Sequence, residues 1–424
     1  MPVMRRLLVT LEVGLLVLLG SFVGALEVQG DAVVWGRYSI VEKDFDYGVV
    51  IDLSSTATLS DRYFGNVDLL LKYQDENNIR PFRVQEISLQ GVQAPWETTD
   101  FRVGLLEVTW GASDVMSPVD VLNPRPFSRG LDGAMFGEKI PVPALDFEWY
   151  LSNTWSLELF YQPRFVGHFI PEFVEEQFLM SSFLPFGILP EKTHVVIVKE
   201  EPPVGFACPI WALRARGSLG SFDVALSYVN GYFLSAYPRE TVISLLPEGI
   251  WDVQVRSGYP KRSVLGFEFQ GTLPGVEGLT LRGDVAWIIP EQWIHTVVLP
   301  HGERISIPVF DVPYWKASLG MDYSWNSTYV SVAYLLGNLW EEGENVSPYG
   351  YVHVDWQSKD KKWKPFANWV VSFEDGSTVW ILGTEYKPKD NWNVTLRYTV
   401  SQGALGSKLG NVGEEVYLEV KYSF

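Results

Sequence analysis

Apolar and polar side chains alternate with a period of two along much of the chain, and this pattern predicts β-strands. The clearest segment is 414–424, EEVYLEVKYSF, in which charged and polar side chains occupy one face. Its apolar face carries Val416, Leu418, Val420, Tyr422 and Phe424. Chain ends usually fray, so a strand that reaches the last residue needs a partner. We expect this segment to pair with the first strand and close a barrel.

Similar segments recur from end to end, and together they predict eighteen strands. The predicted ranges are 26–38, 45–56, 62–73, 82–91, 101–111, 143–151, 155–164, 205–217, 221–232, 262–273, 279–289, 312–325, 328–339, 349–357, 362–373, 378–387, 391–401 and 414–424. Sixteen strands are the alternative if two weaker segments fail. In 101–111 the pair Leu105-Leu106 breaks the alternation, and in 362–373 Pro365 removes a backbone donor.

The apolar face of these segments decides the fold class. Aromatic residues make up 14% of the chain and concentrate near strand ends, as the interfacial girdles of a membrane barrel require. A closed barrel also pairs every backbone polar group within the bilayer. We therefore predict an all-β, antiparallel, up-and-down transmembrane barrel. Short turns rich in Gly, Pro, Asn, Asp and Ser should lie at one end. The long connections 112–142, 165–204, 233–261, 290–311 and 402–413 should lie at the other.

The first residues predict export. Arg5 and Arg6 precede an apolar run, and Val23-Gly24-Ala25 ends it as a small-residue cleavage site, so 1–25 is predicted to be a signal peptide and 26–424 the barrel. The formal net charge of −18 argues against a nucleic-acid partner. With a lone cysteine, Cys208, the chain has no internal disulfide framework. We expect the protein in the cell outer membrane.

Motifs that would indicate an enzyme are missing from the sequence. It contains no Gly-x-Ser-x-Gly elbow, no His-Glu-x-x-His pair and no phosphate-binding glycine loop. The five histidines are scattered. We therefore predict neither catalysis nor a cofactor nor a metal.

Two sets of charged and polar residues are candidates for the channel interior. The connection 112–142 contains four prolines and mixed charges, and folding it inward would narrow the lumen; lying on the outer rim is the alternative. Its constriction candidates are Asp114, Asp120, Asn123, Arg125, Arg129 and Glu138. Alternation predicts that Glu158, Glu268, Arg282, Asp284, Lys316, Arg397 and Glu419 face the lumen.

A resemblance supports this interpretation. Trp110-Gly111, then Asp120-Val121-Leu122-Asn123-Pro124, then Ile140-Pro141 and the strand at Leu145–Leu151, resemble a family of porin-like outer-membrane proteins of unassigned function. The resemblance covers about residues 101–161 and implies a barrel. It implies no catalytic residues and says little about cargo. The terminal strand also resembles the aromatic signal that outer-membrane assembly machinery recognises, with Tyr422 and Phe424 as its residues.

The sequence favours a porin for passive diffusion of small hydrophilic solutes, with a modest cation preference from its acidic balance. One alternative is a specific transporter for apolar or aromatic compounds, which would use the apolar connection 166–203. Another is a structural barrel that tethers the envelope and has a plugged lumen.

The expected partners are outer-membrane lipid, the assembly machinery and small solutes. A homotrimer is left open.

Overall fold

The computed structural model describes residues 27–41, 43–74, 82–127, 138–170, 193–203, 209–247, 249–338, 341–404, 406–410 and 413–424. Within these ranges the chain forms twenty-three strands and no helix. The strands are β1 (Glu27–Ser39), β2 (Asp44–Ser60), β3 (Tyr63–Gln74), β4 (Phe82–Gly91), β5 (Thr99–Leu106), β6 (Val142–Tyr150), β7 (Trp155–Gln162), β8 (Thr193–Glu200), β9 (Ile210–Leu219), β10 (Phe222–Tyr232), β11 (Tyr237–Leu245), β12 (Trp251–Gly258), β13 (Lys261–Thr272), β14 (Leu279–Pro290), β15 (Trp293–Val298), β16 (Arg304–Phe310), β17 (Tyr314–Trp325), β18 (Thr328–Leu336), β19 (Pro348–Trp356), β20 (Trp363–Ser372), β21 (Thr378–Tyr386), β22 (Trp392–Gln402) and β23 (Glu414–Ser423).

Eighteen of these strands form a closed antiparallel barrel. Each pairs with its neighbour in the chain, apart from skips over β8, over β11 and β12, and over β15 and β16. The ring closes where β1 pairs with both β2 and β23. The last residue takes part, because Phe424 and Gly30 exchange two backbone hydrogen bonds of 2.9 and 3.1 Å. The predicted barrel and its closing strand are therefore confirmed.

All eighteen predicted strands overlap a barrel strand, so the higher of the two predicted counts is correct. Several boundaries differ: β2 runs to Ser60 rather than 56, and β9 begins at Ile210, with 205–208 of the predicted strand outside the described ranges. The fifth strand was predicted to reach residue 111, but β5 ends at Leu106, where the chain leaves the wall and enters the lumen. Within the described ranges there is no helix of the length and apolar character that crossing a bilayer requires.

Tight turns join the strands at one end of the barrel, which we call the short-turn end. Between β17 and β18 only Asn326 and Ser327 intervene, and Trp325 pairs directly with Thr328. Asn326 has a φ of 53°, the left-handed value that two-residue hairpins need and that Asn tolerates. The opposite end carries the long connections, and we call it the long-loop end.

Aromatic side chains mark both rims of the outer surface. At the short-turn end Trp392 lies 5.0 Å from Tyr422, measured between ring centroids. Toward the long-loop end Trp287 stacks on Trp315 at 5.5 Å. Between the rims the outward positions are apolar and exposed, as Leu418 shows. This is the arrangement of a barrel wall in lipid, with aromatic belts at the two interfaces.

Five strands that the sequence did not predict form a second sheet at the long-loop end, in the order β16, β15, β11, β12, β8. They come from three connections that we expected to be loops. Two of the pairings, β11 with β15 and β12 with β8, are parallel and join segments far apart in the chain. Residues typical of tight turns predict pairing between consecutive strands, but no local sequence pattern predicts pairing between distant segments. The second sheet could therefore not be predicted from the sequence.

Candidate functional site

Charged side chains line much of the inner wall of the barrel, because side chains alternate between lipid and lumen along each strand. On β13, β14 and β17 the inward charged residues are deeply buried: Glu268 is 3%, Asp284 0% and Lys316 5% exposed. On β1 and β23 the inward charges remain open to water, and the Arg37 and Lys421 side chains are each 37% exposed. One side of the lumen is therefore covered by other parts of the protein, whereas the other side is open to water.

The cover on the buried side is the connection after β5. We call residues 107–141 the inward loop; its residues 128–137 lie outside the described ranges. The loop folds into the lumen, and Asn123 holds its two ends together. The Asn123 side chain accepts from Val108 N at 2.8 Å and donates to Leu106 O at 2.9 Å and Ile140 O at 3.0 Å. The hydrogen bonds of the Asn123 amide thus take the place of the inter-strand hydrogen bonds that stop where β5 ends.

The first half of the inward loop is hydrogen-bonded to acids on the barrel wall, on strands from β7 to β14. The Trp110 indole donates to Glu158 of β7 at 2.8 Å. The Gly111 N–H donates to Glu268 of β13 at 2.9 Å. The N–H groups of Ala112 and Ser113 donate to the two oxygens of Asp284 on β14, at 2.8 and 2.9 Å. Hydrogen bonds to ionised acceptors are the stronger kind, so these acids anchor the loop.

Gly111 fits a position that other residues would not. Its φ is 109°, a conformation that residues with a Cβ rarely adopt. A Cβ there would come within 2.0 Å of Ser117 Oγ and 2.9 Å of Asp284 Oδ2. The glycine therefore lets the loop backbone approach the Asp284 carboxylate closely.

Ion pairs fix the rest of the inward loop. Arg282 of β14 bridges Asp114 on the loop and Asp322 on β17. Near the loop's other end, Glu138 binds Lys72 of β3 at 2.6 Å. The loop is thereby tied to strands on two sides of the barrel.

A buried cluster also stabilises the inward loop from within. Asp120 accepts from both Arg125 and Lys139 at 2.8 Å. Burial lowers the pKa of Lys139 and raises that of Glu107, because the free energy of the charged form of each group is higher here than in water. Burial and the guanidinium groups of Arg262 and Arg125 lower the pKa of His168 to about 3. His168 is therefore neutral, and its Nδ1 accepts from the Arg125 N–H at 2.8 Å.

Apolar packing completes the cover. Val119 and Leu122 of the inward loop pack in one cluster with wall residues that include Phe160, Val264 and Ile288. Val115 packs against a second cluster on β18 to β21. The loop therefore spans the lumen from β5 to the β18 side, and it lies inside the barrel rather than on the rim.

The water-exposed side carries a row of acids across four adjacent strands. Asp31 of β1 lies directly opposite Asp52 of β2, and Asp68 of β3 lies directly opposite Glu86 of β4. Asp31 is paired with Lys421 at 2.5 Å. Asp52 and Asp68 have no cationic group within 4.0 Å among the described residues. We call these four residues the acidic row.

Most of the candidates predicted from the sequence lie on the inward loop or on inward positions of the barrel strands. Five constriction candidates, namely Asp114, Asp120, Asn123, Arg125 and Glu138, lie on the inward loop, whereas Arg129 lies outside the described ranges. The lumen candidates are on inward positions of their strands: Glu158, Glu268, Arg282, Asp284 and Lys316 on the covered side, Arg397 and Glu419 on the exposed side. Their role in selectivity stays a prediction.

Sequence reasoning missed three features of the site. Arg214 of β9, which pairs with Glu268 at 2.5 Å, was not a candidate. Neither were Asp31 and Asp52, although the alternation of β1 and β2 could have identified them. Trp110 and Gly111 entered only through the family resemblance, and their anchoring role was not foreseen. Among the described residues, no group of three or more His, Cys, Asp and Glu side chains is arranged to hold a metal.

A closed eighteen-stranded antiparallel barrel with a loop folded into its lumen defines a porin-type fold. Residues 85–274 match the model of a family described as "Protein of unknown function (DUF1302)". The match covers β5 and the whole inward loop, so the resemblance to a porin-like family of unassigned function is confirmed. No curated protein sequence matches this chain.

Solved outer-membrane proteins share the fold at low sequence identity. OccK11 (OpdR) of Pseudomonas aeruginosa has a TM-score of 0.53 and 9% identity, over 94% of this chain and 96% of that one. OccAB3 of Acinetobacter baumannii has a TM-score of 0.52 and 10% identity, over 94% and 98%. A BenF-like porin from Pseudomonas fluorescens Pf-5 has a TM-score of 0.52 and 8% identity, over 95% and 99%.

Proposed function

We propose that this protein is a passive channel of the cell outer membrane for small hydrophilic solutes, with a modest cation preference, and not an enzyme. The observation that carries the proposal is the division of the lumen. The inward loop fills one side, while the wall of β1 and β23 keeps charged side chains in contact with water. A barrel of this strand number is too wide for wall side chains alone to fill. The fold shared with solved porins supports the same function.

The proposed location follows from the outer surface. Apolar positions between two aromatic rims suit lipid, and the short-turn end would face the periplasm, as in bacterial barrels. The signal peptide at 1–25 would deliver the chain. Tyr422 and Phe424, which stack at 6.2 Å on the closing strand, would serve as the assembly signal.

The acidic row supports the cation preference. Two of its carboxylates, Asp52 and Asp68, form no ion pair within 4.0 Å among the described residues. Lys72 and Lys421, which are ion-paired elsewhere, attract Asp52 from a greater distance, and the row keeps a local excess of negative charge. A wall of one sign in a narrow aqueous passage raises the local concentration of counter-ions. Because the rest of the wall pairs most acids with bases, the preference should be modest.

The test is the reversal potential of the purified protein in a planar bilayer across a KCl gradient. We expect cation selectivity, reduced in Asp52→Asn/Asp68→Asn. Asp360→Asn/Asp390→Asn is the matched control, because it removes the same charge from exposed turns at the short-turn end and should leave the selectivity unchanged. An anion-selective wild type would contradict the preference, and a protein that never conducts would contradict the channel.

The alternatives make different predictions. A specific transporter for apolar compounds would need the connection 166–203, of which residues 171–192 lie outside the described ranges. Deleting 171–192 should then abolish uptake of an aromatic solute and leave KCl conductance intact. A tethering barrel with a plugged lumen would not conduct at all. Trimer formation stays a prediction that light scattering of the detergent-solubilised protein can check.

A further inference from the structure

Two adjoining cavities lie at the short-turn end of the lumen, beneath the inward loop. The first has a volume of 370 Å³ and extends from Gly111 on the loop to the turn 152–154. The second has a volume of 230 Å³ and shares Glu148, Arg214 and Arg216 with the first. We call the two together the vestibule. It opens toward the side that the proposed function assigns to the periplasm.

The vestibule wall carries an excess of negative charge. Six carboxylates and three guanidinium groups line it, on β5, β6, β7, β9, β10 and β13. They are Asp100, Asp146, Glu148, Glu158, Asp223 and Glu268, with Arg102, Arg214 and Arg216. If every guanidinium neutralises one carboxylate, three negative charges remain.

The ion pairs within the vestibule show which acids have a basic partner. Arg102 binds Asp146 at 2.7 Å and Arg216 binds Glu148 at 2.5 Å. Arg214 is shared, at 2.5 Å from Glu268 and 3.5 Å from Glu158.

Asp100 and Asp223 have no cationic group within 4.0 Å among the described residues. Asp100 accepts from the Tyr150 hydroxyl at 2.8 Å, and Asp223 accepts from the Ser218 hydroxyl at 2.6 Å. Asp100 also accepts from the Gln93 N–H at 2.7 Å; all these donors are neutral and leave both negative charges in place.

Three of the acids face one another across neighbouring strands. Asp100 of β5 lies directly opposite Glu148 of β6, and Glu148 lies directly opposite Glu158 of β7. Adjacent strands are about 4.8 Å apart, so the carboxylates form a row at regular intervals. Like charges in directly opposite positions destabilise a sheet. Arg216 and Arg214 offset part of this repulsion at Glu148 and Glu158, and a ligand with several positive charges would offset more of it.

Two buried oxygens on the same wall also lack donors. Glu268 is 3% exposed, and its Oε2 accepts from Gly111 N and Arg214, but its Oε1 has no hydrogen-bond partner in the described part of the chain. Asp146, 9% exposed, has the same deficit at Oδ1. A buried carboxylate oxygen without a donor costs free energy. Both oxygens are covered by protein atoms rather than open to the vestibule, so the surplus charge that a ligand can meet comes from Asp100 and Asp223.

We propose that the vestibule is a binding site for linear oligoamines. An ammonium group offers three donors and a positive charge, which suits the Asp100 and Asp223 carboxylates, whose hydrogen-bond donors are neutral. Several ammonium groups along a flexible chain can meet the successive acids of the row together, whereas a compact divalent ion can meet only one or two. The inference rests on the proposed function, because the ligand must enter through the lumen.

Calorimetric titration of spermidine into the folded full-length protein in nonionic detergent tests the site without requiring conduction. The wild type should bind spermidine. Asp100→Asn/Asp223→Asn, which keeps side-chain size and breaks no ion pair, should weaken binding by about tenfold. Asp360→Asn/Asp390→Asn removes the same charge at the same end outside the vestibule and should bind like the wild type.

Three results would overturn the site: no spermidine binding, equal weakening in the control variant, or MgCl₂ binding as tightly as spermidine. Reversible block of single-channel current by spermidine, relieved in Asp100→Asn/Asp223→Asn, would be the matching result in a bilayer. A cation-selective channel that binds no spermidine would refute the vestibule and leave the proposed function standing. Spermidine binding by a protein that never conducts would refute the proposed channel and leave the vestibule site standing.

Discussion

The Trp110 indole donates a 2.8 Å hydrogen bond to Glu158, a carboxylate that lies inside the barrel 48 residues further along the chain. Trp110 is 1% exposed, and the Arg214 guanidinium lies 5.6 Å from its ring centroid. One side chain thus joins the inward loop, the barrel wall and an ion-paired arginine. The loop is built into the lumen as part of the folded core.

Trp110→Phe should lower the free energy of unfolding by about 2 to 4 kcal/mol. The substitution leaves the buried Glu158 carboxylate without its indole donor and opens space around a smaller ring. Denaturant unfolding of the protein folded into lipid vesicles measures the change. Trp211→Phe, at an outward and partly exposed position, is the control and should cost about 1 kcal/mol or less. Equal losses in the two variants would contradict an anchoring role for Trp110.

The second sheet should weaken in mild acid because of His295. His295 is 0% exposed, lies 2.8 Å from Thr241 Oγ1, and has a pKa lowered by burial from 6.5 to about 4. Between pH 6.5 and pH 4 the unfolded state therefore binds more protons than the folded state, so stability falls as the pH is lowered through this window. Above pH 6.5 histidine protonation has no effect.

Hydrogen exchange of β11 and β15 at pH values from 7.5 to 4 measures this loss, after correction for the intrinsic pH dependence of exchange. His295→Gln should remove the loss of protection. His301→Gln, in the exposed turn between β15 and β16, should retain it. A wild type whose protection is constant down to pH 4 would show that His295 does not couple to the sheet.

Phe424→Ser should reduce the yield of folded protein in the outer membrane to a small fraction of the wild-type yield. Phe424 is 52% exposed on the outer surface, where the proposed assembly signal would be read. Heat-modifiable migration on gels measures the folded yield. Phe373→Ser is the control, because Phe373 is similarly exposed at the long-loop end and is not part of the signal. If both variants assemble normally, the terminal aromatic is not a signal.

The barrel was predictable because its determinants are local. Each strand has one face toward lipid and one toward water, so its apolar and polar residues alternate with a period of two. Turn residues such as Asn326-Ser327 or Gly220 indicate where the next strand begins. The same alternation placed Glu268 and Asp284 on the inner wall. Their partners could not be inferred, because those partners are backbone N–H groups of a loop whose position depends on tertiary contacts.

The unpredicted features share one cause, which is pairing between distant segments. The Asn123 amide ends β5 by binding backbone groups on both sides of the inward loop, and no local pattern around Leu106 indicates this. The parallel pairing of Val253 with Val195 in the second sheet is equally non-local. The family resemblance drew attention to Trp110, Gly111 and Asn123, yet only the structure shows what each contacts.

We propose that the inward loop, anchored at Asp284, narrows an open channel. Single-channel recording of the wild type beside Asp284→Asn tests it most directly. Asparagine keeps the size of the side chain but sets an amide NH₂ against one of the two loop N–H groups, so one anchoring hydrogen bond is lost. Asp355→Asn, on an inward position of β19 that pairs with His353, is the control. We predict a conducting wild type, a larger or more variable conductance in Asp284→Asn, and no change in Asp355→Asn. A wild type without conductance, or identical conductance in wild type and Asp284→Asn, would contradict the account.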